Sequence, residues 1–173
     1  MSEGLAEGKS TSYKAELEIN WEYYGNFVND DIHKLRIEVV NDNCLVKKPG
    51  IYKLVSNDLS ELYVGEGQFV HKRLSNYKNA RYELHEKNEY TNRRIQGWML
   101  RLIADKKGPI KIFVCTLAYI RCGDEMKEFD LDKEYNRLLI ENLEISITPN
   151  DFKIQNFSEN WARNQKLKST DTE

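Results

Sequence analysis

The sequence predicts an α/β (α+β) domain with a small central sheet, antiparallel or mixed, flanked by helices in the order β-β-α-α-β-α. Three observations carry this. Two β-prone apolar runs, Ile51-Tyr52-Lys53-Leu54-Val55 and Leu62-Tyr63-Val64-Gly65, stand on either side of a short polar turn. Beyond Gly67 the apolar residues recur at helical rather than alternating spacing, first over 69–77 and again over 95–103. The chain has 173 residues, 40% hydrophobic and 31% charged, enough to bury one core and too polar for lipid.

Residues 1–12 are small and polar and are expected to form a loose tail. Residues 13–48 read as an extension packed on the core, in which Leu35-Arg36-Ile37-Glu38-Val39 alternates like a half-buried strand. Trp21, Tyr23 and Tyr24 fit either core anchors or a surface for base stacking or a partner. Pro49-Gly50 ends the extension, and a strand starts at Ile51. Ser56-Asn57-Asp58 supplies turn chemistry, so the two apolar runs should pair as a hairpin that brings Tyr52 near Tyr63.

Phe69, Val70, Leu74 and Tyr77 predict a short amphipathic helix with Lys72, Arg73 and Lys78 interleaved. A polar stretch over 79–91 leads to a second helix whose apolar face is Ile95, Trp98, Met99, Leu102 and Ile103, stopped at Gly108-Pro109. Residues 110–118 read as a strand and 121–128 as a polar loop. From Phe129, the residues Leu131, Tyr135, Leu138, Leu139, Leu143 and Ile145 imply a long amphipathic helix ending before Pro149, and 158–173 read as a second tail.

Cys44, Cys115 and Cys122 are odd in number and lack CxxC spacing, which favours buried free thiols over a disulfide or zinc site. The first twelve residues have no secretory signal and no apolar run is long enough to span a bilayer, so a cytoplasmic protein away from membranes is expected. No Gly-rich phosphate loop or HExxH motif is present.

Gly50-Ile51-Tyr52 and Tyr63-Val64-Gly65 resemble the paired signatures of the GIY-YIG nucleases. Further residues fall at that family's intervals: Arg73 ten residues after the second tyrosine, Tyr77 one helical turn on, Glu141 within Leu138-Leu139-Ile140-Glu141-Asn142, and Asn156 fifteen residues later. The resemblance spans residues 49–157 and implies a nuclease domain there. It implies a stand-alone, metal-dependent DNA endonuclease of restriction, phage or mobile-element type, with one Mg²⁺ or Mn²⁺ held by Glu141. Arg73 would clamp the scissile phosphate and Tyr77 would orient water or phosphate. The general base is Tyr52 or Tyr63, with Tyr52 preferred, and Gly50, Gly65 and Asn156 would shape the site. The alternatives are a catalytically weak nucleic-acid-binding module of the same fold and a repair nickase. In one departure, Glu66 follows the second glycine where many members have lysine, so that either Lys72 or His71 replaces that charge or the activity is weaker or differently tuned.

These residue types suit the chemistry. Magnesium keeps most of its waters and accepts one or two carboxylates plus substrate phosphate. Arginine offers a planar, permanently charged fork, and a tyrosine with an ordinary pKa of about 10 needs nearby cations to act as a base. Glu141 should sit at the edge of its helix's buried face, where a carboxylate needs a partner.

The net charge is −2, yet Glu66 to Lys111 carries eleven lysines and arginines against five acids, a net of +6 that leaves −8 for the rest. This fits a phosphate-facing side or solvated helix faces. On the nuclease reading, residues 79–107 form an inserted DNA-gripping element, and Lys72, Lys78, Arg81, Arg93 and Arg94 contact phosphates of double-stranded DNA. Cutting both strands would favour a homodimer or higher homo-oligomer.

Overall fold

A computed structural model describes residues 14–31, 34–42, 48–79 and 87–156; the tails expected over 1–12 and 158–173 lie outside the described residues. The predicted hairpin forms from β4 (Gly50–Val55) and β5 (Glu61–Gly67), with Tyr52 opposite Gly65 and Leu54 opposite Tyr63. Its turn closes on Ser56 Oγ, which accepts the Ser60 and Glu61 amides at 3.0 and 2.9 Å. Nearly every residue of both strands is buried, because helices cover both faces of the sheet. Tyr52, Leu54 and Tyr63 point into one apolar cluster; Ile51, Val55, Leu62 and Val64 point into another on the opposite face.

Before the hairpin come β1 (Ala15–Ile19), β2 (Glu22–Asp31) and β3 (Lys34–Val39), the last being the alternating stretch read from sequence. After it come α1 (Val70–Lys78), α2 (Lys87–Ala104), β6 (Ile110–Cys115), β7 (Ala118–Cys122), β8 (Glu125–Glu128), α3 (Glu134–Ile147) and β9 (Lys153–Ile154). Six strands make one sheet in the order β3-β2-β6-β4-β5-β9, antiparallel throughout except for the parallel β5–β9 pair. The second sheet, β1-β7-β8, is antiparallel. Among the described residues the fold is thus a mixed α+β arrangement of two sheets flanked by three helices.

The residues before Pro49 are woven into this sheet: β2 pairs with both β3 and β6, and Phe27 and Leu35 belong to the core. α1 buries Val70, Leu74 and Tyr77, as its spacing predicts. α2 buries Ile95, Trp98, Met99 and Leu102 beside α1, so this helix is part of the core. Cys115 is a buried free thiol and Cys122 an exposed one, whereas Cys44 lies outside the described residues.

Two expectations need correction. Residues 121–128 are largely a hairpin, because β7 pairs with both β1 and β8. These short strands are polar on both faces toward their ends, so no alternation marks them in the sequence. The second concerns α3, which begins at Glu134 and does not turn its leucine stripe inward. Its buried residues are Arg137, Ile140, Glu144 and Ile145, while Tyr135, Leu138, Leu139 and Leu143 are exposed. Pairing makes that orientation tolerable. Arg137 donates from Nε to Glu66 Oε2 at 2.7 Å and from Nη1 to the Leu131 and Asp132 carbonyls at 2.8 and 2.9 Å. Glu144 accepts from Trp21 Nε1 at 3.0 Å and from Lys53 Nζ at 2.6 Å. Buried charges with such partners escape most of the desolvation penalty that an unpaired ion would carry.

Candidate active site

Three tyrosines from three elements converge on one face of the hairpin. Tyr52 comes from β4, Tyr63 from β5 and Tyr77 from the last turn of α1, with ring centroids 6.1 to 6.2 Å apart in every pair. The hydroxyls of Tyr52 and Tyr77 share a short hydrogen bond, and the Tyr77 hydroxyl donates to that of Tyr63 at 3.4 Å. Tyr52 and Tyr77 are wholly buried and Tyr63 nearly so.

The glycines of the two tripeptides make room for this. Tyr52 lies directly across from Gly65, and a methyl group there would overlap its hydroxyl. A methyl group on Gly50 would overlap the Cys115 carbonyl of the neighbouring strand. Both positions therefore exclude a side chain through close approach.

Burial pushes the pKa of all three tyrosines above the ordinary value, most strongly for Tyr52 and Tyr77. Arg73 opposes the rise at each of them, since a cation favours the phenolate. Linked by hydroxyl contacts, the three behave as one coupled titrating group.

Arg73 stands one turn before Tyr77 on α1, its guanidinium carbon 5.6 Å from the Tyr77 ring centroid. Burial disfavours its charge, but Tyr77 and Tyr52 more than offset this and hold it firmly protonated. Its Nε is buried without a hydrogen-bond partner. Such a donor suits an anion that approaches the tyrosines.

Glu141 reaches the site from α3. Asn156 Nδ2 donates to Glu141 Oε1 at 3.1 Å and to the Val64 carbonyl at 2.5 Å, while its Oδ1 accepts the Val64 amide at 2.9 Å. The Asn156 side chain thus extends the β9 ladder along β5 and ties Glu141 to the strand that carries Tyr63. The negative charge of Glu141 is felt at Tyr63, where it opposes ionisation. Among the described residues no three His, Cys, Asp or Glu side chains form a metal cluster. A single carboxylate fits a hard divalent cation that keeps its waters and does not fit structural zinc.

Sequence reasoning missed two residue groups around the site. Arg137 lies one turn before Glu141 and neutralises Glu66, which answers the charge departure from α3 instead of from Lys72 or His71. Lys72 is exposed, and His71 Nδ1 is buried without a partner. The second group centres on buried Glu61, which accepts from Trp98 Nε1 at 2.8 Å, Arg101 Nη2 at 2.9 Å and Gln155 Nε2 at 2.8 Å. Burial raises the Glu61 carboxyl pKa, but Trp98 and Arg101 outweigh it and leave it below the ordinary value. Gln155 adjoins Asn156, so Glu61 anchors the segment that holds Glu141. Adjacency in sequence was the one available signal for Gln155.

Of the residues expected on phosphates, Lys72 and Lys78 are exposed on α1 and Arg94 on α2, Arg93 is half-buried, and Arg81 lies outside the described residues. No helix among the described residues is long and apolar enough to cross a membrane.

No family model and no curated protein matches this chain. Among solved structures, it is similar in shape to restriction endonuclease HPY188I in complex with product DNA, at 14% identity and a TM-score of 0.47, over 75% of this chain and 76% of that one.

Proposed function

We propose that this protein is a metal-dependent DNA endonuclease of GIY-YIG type, whose signature residues lie within 49–157 and whose basic segment 79–107, α2 included, grips DNA from its exposed side. The observation that carries the proposal is convergence. Tyr52, Tyr63, Arg73 and Tyr77, spaced as in that family's signature, gather around one hydroxyl cluster with an unpartnered arginine N–H, and Glu141 is tied to the strand bearing Tyr63.

Arg73 would receive the scissile phosphate, its Nε–H finding in a phosphoryl oxygen the acceptor it lacks. Tyr63 is the least buried of the three tyrosines, which supports it as the one that meets the attacking water. As the phenolate, Tyr63 would accept the water proton while the water oxygen bonds to phosphorus and the bond to the leaving oxygen breaks, the leaving oxygen taking its proton from bulk water. Tyr77 and Tyr52 stand behind it as a hydrogen-bonded relay, which gives Tyr52, the base on sequence grounds, a supporting part in the same proton transfer. A divalent cation held by Glu141 would supply charge that favours the phenolate and neutralises the reacting phosphate. Asn156 fixes the direction of the Glu141 carboxylate.

On this reading Lys72, Lys78 and Arg94, exposed on α1 and α2, contact phosphates together with Arg93, and Arg81, outside the described residues, is expected to join them. Conversion of supercoiled plasmid to nicked or linear DNA in Mg²⁺, and its suppression by chelator, tests the activity. Absence of metal-dependent cleavage on single- and double-stranded DNA and on RNA would remove the enzyme reading and leave a binding module.

A further inference from the structure

A helix lying on a sheet ordinarily buries its apolar stripe. α3 buries Arg137 and Glu144 with Ile140 and Ile145, and leaves Tyr135, Leu138, Leu139, Leu143 and Ile147 exposed by 65, 40, 55, 38 and 63%. At about 100° per residue these five fall within roughly half of the helix circumference, as one continuous stripe. Asn142 and Ser146, which lie among them, each donate within α3, and Asn142 keeps a second N–H and Oδ1 that an identical partner residue across a two-fold axis can meet. Asn142 Nδ2 donates to the Leu138 carbonyl at 2.8 Å, and Ser146 Oγ to the Asn142 carbonyl at 2.7 Å. Covering the stripe therefore leaves these donors satisfied.

We propose that this stripe docks a second copy of the chain, α3 against α3, antiparallel across a two-fold axis near Asn142. The area fits that occupant. The five side chains expose roughly 500 Å², at the upper end for a monomer's largest apolar patch. Two such patches face to face reach roughly 1,000 Å², the lower bound of a specific interface before any rim is added. The stripe is self-complementary under a two-fold axis, with one copy's Tyr135 beside the other's Ile147. Antiparallel packing opposes the helix dipoles. The proposal is independent of the nuclease reading.

Sedimentation equilibrium of the full chain, with thermal unfolding followed at several protein concentrations, tests it. The wild type should be a dimer whose Tm rises with concentration. The double substitution Leu139→Lys and Leu143→Lys should weaken self-association about 100-fold or more and remove the concentration dependence, as expected for central apolar contacts. Asn142→Cys should form an interchain disulfide under mild oxidation, beyond any seen with wild type. A wild type that stays monomeric at high micromolar concentration, or a double variant that dimerises as well as wild type, overturns the proposal. So does a monomeric wild type destabilised by the double substitution, which would mean that the chain's own residues 157–173 cover the face. Failure of Asn142→Cys to cross-link in a dimeric protein overturns the antiparallel register.

Discussion

At the residue scale the site is organised around Tyr52 and the glycine opposite it. The ring occupies the space a side chain at Gly65 would fill, and from there its hydroxyl meets Tyr77. This much was legible in the sequence, because a short hairpin with fixed register forces Tyr52 and Tyr63 together. The electrostatic consequence was not legible, since it depends on burial. Burial raises the three pKa values above the ordinary 10.0, so above that pH an unfolded chain releases protons that the native cluster keeps. The native state then binds more protons, and stability falls as pH rises from about 10 through the folded values; below that window the contribution is complete. Urea midpoints across this range should show the decline, and Tyr77→Phe should make it shallower.

At the element scale, α1 and α2 follow their periodicity and α3 departs from it. Apolar spacing predicted the buried apolar residues of α1 and α2 because those faces pack mainly on apolar neighbours. In α3 the decisive contacts are between charged groups distant in sequence, 71 residues apart for Arg137 and Glu66. No local pattern encodes them. Arg137→Met should cost about 3–5 kcal/mol, because it strands the Glu66 carboxylate and removes a donor from two carbonyls. Glu66→Gln should cost less, since its amide oxygen still accepts from Arg137. Denaturant unfolding of both variants measures the difference. The same reasoning accounts for β7 and β8, whose strand character comes from pairing, β7 with β1 and β8 with β7.

At the scale of the whole molecule, the net charge of −2 conceals a basic segment that includes exposed Lys72, Lys78 and Arg94. If these contact phosphates, each neutral substitution should reduce the slope of log affinity against log salt by about one, with little change in sequence preference. Filter binding over a range of salt concentrations reads this directly. Arg137 balances the charge of Glu66 beside this segment. The most direct test of the central claim is the single-turnover rate of duplex cleavage in Mg²⁺ for wild type, Arg73→Ala, Tyr63→Phe and Glu141→Ala. Wild type should cleave, and each substitution should lower the rate by on the order of 100-fold or more while leaving Tm within a few degrees. Cleavage by Glu141→Ala and Arg73→Ala at the wild-type rate would contradict the account.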